Sequence, residues 1–494
     1  MANKEISPRA LNSPEQYNYV IVRQLVLIAL SWGIIGISTG IYLAGELIWP
    51  ALSFDLPGLT FGRLRPLHTI ITIWGFAANL VFASSYYVLQ RTCQTRLIGK
   101  YSLYLIVWGW QIILLWGILS ALAGYTQARE YAELEWPFDI AIEIILGVYL
   151  YSYLSTLYRR SQPHIYVANW FYLACATGMI LLQTVENLAT PVSIFGLKSY
   201  SRFAGVHDAM IHWWYGHNLV TFLITLGFLG MMYYFVPKQT GRPLYSYRWS
   251  IIHFWSLIFL SVWAASNHLY WTALPDWIMI LGVTFSIMLL FPSWAGVANG
   301  ILTFSGDWNK LRTDPILNFL LFGLISYGLT IFEGGLLSLG SINALAHYTD
   351  WIIGHSHFAM MGWATMTGFG VIYHLVPRLW NTKLHSRRLA FIHFWLASAG
   401  IILHVGALIT AGIIQGQKLR AMDQYGNLLY SFMESDAVIN SYYYLRLLGG
   451  GLFLFGLFVM LYNLFMTILR GRRAQAILEA RIAAKLAVKE WRPL

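Results

Sequence analysis

The chain has 494 residues, of which 57% are hydrophobic and 11% charged, with a mean hydropathy of +0.57 and a formal net charge of +11. Water-soluble domains do not carry that balance, and apolar runs of membrane-spanning length recur from end to end. The positive charge follows membrane topology, as shown below, which excludes nucleic acid as a partner.

Twelve apolar runs are predicted in chain order, at residues 20–45, 66–90, 102–124, 138–158, 166–188, 207–236, 250–272, 277–303, 315–340, 349–376, 390–414 and 443–470. No long polar segment divides them. The expected fold is an all-α integral membrane protein of twelve transmembrane helices. It divides into an N-terminal segment (1–19), one membrane domain (20–470) and a basic tail (471–494). With the N-terminus cytoplasmic, 24 of the 32 lysines and arginines fall on that side. That bias predicts a cytoplasmic C-terminus as well, with the amphipathic basic tail lying on the inner face of the bilayer. The N-terminal stretch is polar and shows no cleavable signal pattern.

In the second run, His68 follows Arg63-Leu-Arg65-Pro-Leu, so arginines stand above an imidazole near a helix end. His217 lies in the sixth run and His268 in the seventh. The tenth carries Gly354-His355-Ser356-His357. At about 100° per residue, positions two apart on a helix point to opposite sides, so His355 and His357 offer one imidazole to each flank. Such histidines can simply hydrogen-bond neighbouring helices. Five of them on four apolar helices, without matching acids for ion pairs, favour metal binding. A helix between two flat metallocofactors fits that arrangement.

Several chemistries are excluded. No Cys-x-x-Cys-His occurs, so the chain attaches no c-type haem. Cys93 and Cys175 are placed too far apart along the membrane for a disulfide. There is no Walker loop or dinucleotide fingerprint. Tyr234-Phe-Val-Pro-Lys238 echoes His374-Leu-Val-Pro-Arg378, and His-Phe-Trp occurs at both 253 and 393. These are read as shared helix-end chemistry, proline followed by a cation, and not as a repeat.

Specific strings then run in order along nearly the whole chain. They are Arg65-Pro-Leu-His-Thr69, Glu130-Tyr-Ala-Glu-Leu-Glu-Trp-Pro137, His164-Ile-Tyr-Val-Ala-Asn-Trp170, Trp213-Trp-Tyr-Gly-His-Asn218, Ala273-Leu-Pro-Asp-Trp277, Lys310-Leu-Arg-Thr-Asp-Pro315, Phe332-Glu-Gly334 and His347-Tyr-Thr-Asp-Trp351. On these the chain resembles the catalytic subunit of the cbb3-type cytochrome c oxidases, the C-family of haem-copper oxidases. The resemblance implies a bacterial inner-membrane location and two b-type haems. It makes His68 and His357 the axial ligands of the low-spin haem, and His355 the proximal ligand of the high-spin haem. Arg65 and Arg446 are the candidate haem-contacting cations. His217 and His268 become ligands of the B-site copper, and Glu130 and Glu133 resemble the family's calcium-binding acids. The partners implied are membrane-anchored c-type cytochrome subunits on the outer face.

The seventh run departs from that pattern. It reads Ser261-Val-Trp-Ala-Ala-Ser-Asn267-His268, with Asn267 where the family has a first copper-site histidine and Ser261 where it has a cross-linked tyrosine. The flanking Leu-x-x-Thr-Ala-Leu-Pro-Asp-Trp still matches, so the alignment is not shifted. An amide oxygen is a poor ligand for Cu(I), and serine does not supply the electron that a phenol does. Copper at this site is therefore expected to be weakly held, absent or replaced, with Tyr270 and His212 as candidate substitutes for the missing groups. The proton route matches the family more fully, through Thr225, Tyr233, Ser250, His253 and Tyr327. On the seventh helix Ser250, His253, Ser261 and His268 fall within an arc of about 80°. Glu333 resembles the family's acid near the high-spin haem, and with this stripe it is expected to carry substrate protons. The implied activity is reduction of O2. Nitric oxide reduction, and a haem-retaining electron-transfer or gas-binding role, are the alternatives.

Overall fold

The computed structural model describes residues 17–306 and 308–490, with side chains to residue 480, so most of the N-terminal segment lies outside the described residues. Backbone amides have no water to bond to in hydrocarbon, so an apolar chain must satisfy them within its own helices. The observed elements are α1 (Tyr19–Glu46), α2 (Phe61–Cys93), α3 (Lys100–Leu122), α4 (Trp136–Tyr158), α5 (Val167–Glu186), α6 (Gly205–Thr240), α7 (Tyr247–Leu269), α8 (Asp276–Thr303), α9 (Pro315–Leu337), α10 (350–379), α11 (Arg387–Leu419) and α12 (Asn440–Glu490). All but α10 are long and apolar enough to cross a membrane, which gives eleven such helices among the described residues. A small antiparallel hairpin between α5 and α6 pairs Ala189 with Ser201 and Pro191 with Ser199. The tail from residue 471 prolongs α12 as helix to Glu490, with residues 472–480 exposed.

The centre is built from α2, α6 and α10. The apolar stretches of α2 and α6 are 83% and 94% buried, and residues 362–376 of α10 are all buried. Each of the three contains a π-helical stretch, at Ile71–Ala77, Val220–Leu226 and Phe358–Thr365. Each stretch begins three residues after a histidine: His68, His217 and His355. A π turn inserts extra backbone and resets which way the following side chains face, and such turns gather at functional sites.

The sequence echoes turn out to be a repeat. Tyr233 Oη lies 2.9 Å from His253 Nδ1, and Tyr373 Oη lies 3.2 Å from His393 Nδ1 at the same separation along the chain. Ser246 caps α7 and Ser386 caps α11, each accepting from the third amide onward. Asn299 on α8 bonds both backbone groups of Ser246, at 2.8 and 2.9 Å, and Asn463 on α12 does the same to Ser386 at 3.0 and 2.8 Å. A third copy survives in part. The amides of Ile98, Tyr245 and His385 bond Thr156, Thr303 and Thr467, and each threonine hydroxyl bonds the carbonyl four residues earlier. Three four-helix units therefore share the threonine brace of one loop, and two of them the asparagine brace as well. A helix-end reading accounts for the prolines and cations but not for these cross-braces, which become visible only when distant helices are side by side.

The asparagine brace is a buried polar device in an apolar setting, and removing it strands two backbone groups. Asn463→Ala is expected to cost roughly 1–3 kcal/mol and to lower the unfolding temperature of the detergent-solubilised protein, with Asn299→Ala behaving alike. A change within error for both would show that the loops are held by helix packing alone.

Candidate redox site

Three of the predicted histidines are anchored through the same ring nitrogen. His68 on α2 has Nδ1 2.8 Å from the carbonyl of Gly36 on α1. The ring fits there because α1 carries Gly40, where a Cβ would stand 2.7 Å from His68 Cε1. His357 Nδ1 is 2.8 Å from the carbonyl of Ile353 in its own helix. His355 Nδ1 is 3.1 Å from Glu333 Oε2 on α9, and Glu333 Oε1 accepts from Trp351 Nε1 at 2.9 Å. A neutral imidazole that donates Nδ1–H to oxygen keeps its lone pair on Nε2, the tautomer a metal requires. Glu333 is thus a positioning residue for His355, with both oxygens committed. It is not hydrogen-bonded to the proton stripe with which it was grouped.

His217 and His268 meet, Nδ1 to Nε2, at 3.1 Å, and His268 stacks on Trp213 with ring centroids 4.7 Å apart. That spacing matches two nitrogens bound to one metal at about 2.0–2.1 Å and an angle near ~100°. His217 Nε2 is buried without a hydrogen-bond partner, as is Oδ1 of Asn267, the residue before His268. Ser261 is buried with its hydroxyl on the carbonyl of Ile258 at 3.2 Å, turned to its own helix. Among the described residues no three His, Cys, Asp or Glu side chains converge as a metal site. The donors that do converge are these two imidazoles. Neither proposed substitute reaches them by hydrogen bond: His212 Nδ1 is bonded to Glu186 at 2.9 Å, and the Tyr270 hydroxyl faces Gly340.

Part of the polar stripe is a continuous chain. Tyr233 Oη to His253 Nδ1 is 2.9 Å and His253 Nε2 to Tyr327 Oη is 3.1 Å, joining α6, α7 and α9 through buried groups. Gly296 on α8 makes the space, since a Cβ there would sit 2.2 Å from His253 Nδ1. Ser250 bonds the carbonyl of Tyr247 at 2.6 Å, and Thr225 is buried on α6, so neither extends the chain by hydrogen bond. At the N-terminal end of α2 Arg65 pairs with Glu130 at 2.6 Å, while Glu133 is buried with Oε2 unpartnered. Burial pushes the Glu133 carboxyl up to about 8. The two predicted calcium acids are therefore unlike, one paired and one desolvated. Arg446 is buried on α12.

The family model for cytochrome c and quinol oxidase polypeptide I matches residues 20–452. The chain belongs to that family. It is 48% identical over 464 residues to a cytochrome c oxidase subunit 1 homolog of the bacteroid from Bradyrhizobium diazoefficiens, covering 94% of this chain and 84% of that one. It is 47% identical over 468 residues to the cbb3-type cytochrome c oxidase subunit CcoN1 of Stutzerimonas stutzeri, covering 94% and 98%. Against a solved heme-copper terminal oxidase dimer the TM-score is 0.71 at 16% identity, covering 91% of this chain and 84% of that one, a likeness of fold.

Oxidases of this family are haem and copper proteins, and the donor set here fits that chemistry: anchored imidazoles with free Nε2 atoms, and a converging nitrogen pair. One residue escaped the sequence reading. His404 on α11 is buried, with Nδ1 2.9 Å from the carbonyl of Arg446, Nε2 unpartnered, and its ring 5.0 Å from that of His357. Its signal was present, an isolated histidine in an apolar run, but no motif marked it. Cys93 and Cys175 are both free and buried.

With no cation beside it, as in chelator-treated protein, the native carboxyl of Glu133 holds its proton well above the unfolded range, so folding binds a proton between about pH 4.5 and 8. Stability from this group is present at low pH and is lost as pH rises through that window. Glu133→Gln is expected to flatten the dependence, so that the variant's unfolding temperature gains on the native protein's from pH 5 to pH 8. Parallel curves would show that Glu133 is ionised throughout.

Proposed function

We propose that this chain is the catalytic subunit of a cbb3-type oxidase of a bacterial plasma membrane, crossing it twelve times, α10 included, with both termini cytoplasmic. It accepts electrons from membrane-anchored c-type cytochrome subunits on the outer side and passes them to a small gas. O2 is the substrate supported by relatives named cytochrome c oxidases. The observation that carries this reading is the set of three membrane histidines whose Nδ1 atoms are fixed by oxygens and whose Nε2 atoms are free.

His68 and His357 would hold a low-spin haem b, His355 a high-spin haem b, and His217 with His268 the B-site copper. Arg65 and Arg446 would contact the haem carboxylates, and Glu133 with Glu130 would offer oxygens to calcium. When bound, the haems and copper supply the electron relay and the reduction of the gas. The remaining work falls to the protein. Glu333 and Trp351 hold His355 in one orientation. His253, between two phenols, passes a proton by taking it on one ring nitrogen and releasing the other, while Thr225 and Ser250 flank the chain. At the B-site, Asn267 replaces an imidazole by an amide, so copper is held less tightly. Ser261 offers no phenol to be oxidised. That substitution favours nitric oxide as the second substrate reading, because coupling two NO molecules needs no phenol-derived electron.

Replacing His68 by Ala is expected to abolish the low-spin haem signal in the reduced-minus-oxidised spectrum while CO binding at the other haem persists. Unchanged spectra would remove His68 from the site. Asn267→His with Ser261→Tyr is expected to raise copper per haem, measured by metal analysis, and O2 uptake by about tenfold or more, with either change alone doing less. A native protein already holding one tight copper per high-spin haem, and reducing O2 rapidly, would refute the weakened site.

A further inference from the structure

His404 on α11 has no part in the function proposed above, yet it shares the state of the residues that do. Its Nδ1 lies 2.9 Å from the carbonyl of Arg446 and so donates there, while its Nε2 is buried with no partner. His68, His355 and His357 are prepared in the same way, each with Nδ1 on an oxygen. A core histidine held only by packing would match its second nitrogen, because an unpaired polar atom in hydrocarbon is costly.

The repeat gives His357 and His404 a counterpart elsewhere in the bundle. His357 follows His217 by the same interval that separates Tyr373 from Tyr233 and His393 from His253. His404 stands four residues, one helical turn, before the position on α11 that matches His268 on α7. The rings of His357 and His404 are 5.0 Å apart and tilted by 42°, against 5.3 Å and 56° for His217 and His268. Two units of the bundle thus bring a pair of imidazoles together.

Glycines fix His404 in the neighbourhood of His68. Gly40 of α1 makes room for the His68 ring, and the next residue, Ile41, lies against Gly450 of α12. A Cβ on Gly450 would stand 2.6 Å from Ile41 Cδ1 and 3.6 Å from His404 Nδ1. One residue earlier, a Cβ on Gly449 would stand 2.6 Å from the His404 amide nitrogen, so α11 and α12 touch there through backbone. His404 is held by main chain and ring alike.

Granted the two-haem reading above, we propose that His404 is a reserve axial ligand of the low-spin haem. It takes the place of His357 opposite His68 and so keeps that iron closed to the gas. In the exchange one nitrogen–iron bond breaks and one forms. No electron or proton moves, since each ring keeps its Nδ1–H. Arg446 is a donor and suits a haem carboxylate, whereas the His404 Nε2 lone pair can only accept. No donor among the described residues reaches it, and imidazole nitrogen is a ligand that haem iron takes.

The test uses the purified protein carrying its haems, with His357→Ala alone and combined with His404→Ala. Low-spin haem per protein is measured by electron paramagnetic resonance of the oxidised form and by the reduced-minus-oxidised spectrum. His357→Ala is expected to keep roughly half or more of the native low-spin signal, and the double variant less than about one tenth. A signal equal in the two, whether kept or lost, overturns the proposal and leaves Nε2 to a water or to packing. A second measurement keeps His357 in place. At high CO pressure, fully reduced His404→Phe is expected to bind CO at the low-spin haem about tenfold more than the native protein does. Equal CO binding there overturns the proposal, even where the His357 variants do not assemble. A native protein without any low-spin b-type spectrum would instead refute the proposed function itself.

Discussion

Everything functional in this molecule depends on how an imidazole is held in a bilayer. A ring with both nitrogens unsatisfied is costly in hydrocarbon, and a ring with both committed cannot bind a metal. His68, His355 and His357 avoid both outcomes by giving Nδ1 to an oxygen. The oxygens differ. Backbone carbonyls hold His68 and His357, while the Glu333 carboxylate holds His355 and makes that ring the more basic of the three. Glu333, partly buried, also accepts from Trp351, so one helix, α10, presents both the imidazole and the donor that steadies its anchor.

The helices that carry these rings are shaped around them. The π stretches three residues beyond His68, His217 and His355 let the N-terminal halves of α2, α6 and α10 face a site while their C-terminal halves pack as an ordinary core. Packing then decides which polar groups communicate. His253 bridges two tyrosines because Gly296 leaves room for its ring, whereas the related His393 lies among Phe319, Phe369 and Tyr373 with Nε2 unpartnered. The same local motif yields a hydrogen-bonded chain across three helices in one unit and a dead end in another.

The region around Asn267 and Ser261 shows how two substitutions alter a site without disturbing its frame. His217 and His268 still converge at 3.1 Å, held by the π stretch of α6 and by stacking on Trp213. What has changed is chemical. A buried amide oxygen and a buried ring nitrogen are left without partners, and the serine hydroxyl turns back to its own helix.

The sequence alone determined the class and singled out the membrane histidines. Membrane spans are legible because hydrocarbon forces long apolar helices, and the histidine, arginine and glutamate strings are legible because few residues bind metals in such surroundings. Eleven of the twelve apolar runs became helices long and apolar enough to cross a membrane, and the tenth run, α10, forms a buried helix that is less apolar than the rest. Tertiary structure decided what depends on distance between remote helices. It joined Glu333 to His355 instead of to the stripe, broke that stripe at Ser250, tied His212 to Glu186, and brought His404 to His357. It also turned a few short echoes into a repeat, through asparagine and threonine bonds spanning 53 to 82 residues. Side-chain type is written locally, but a hydrogen bond needs two groups within about 3 Å, and only the packed bundle sets that distance.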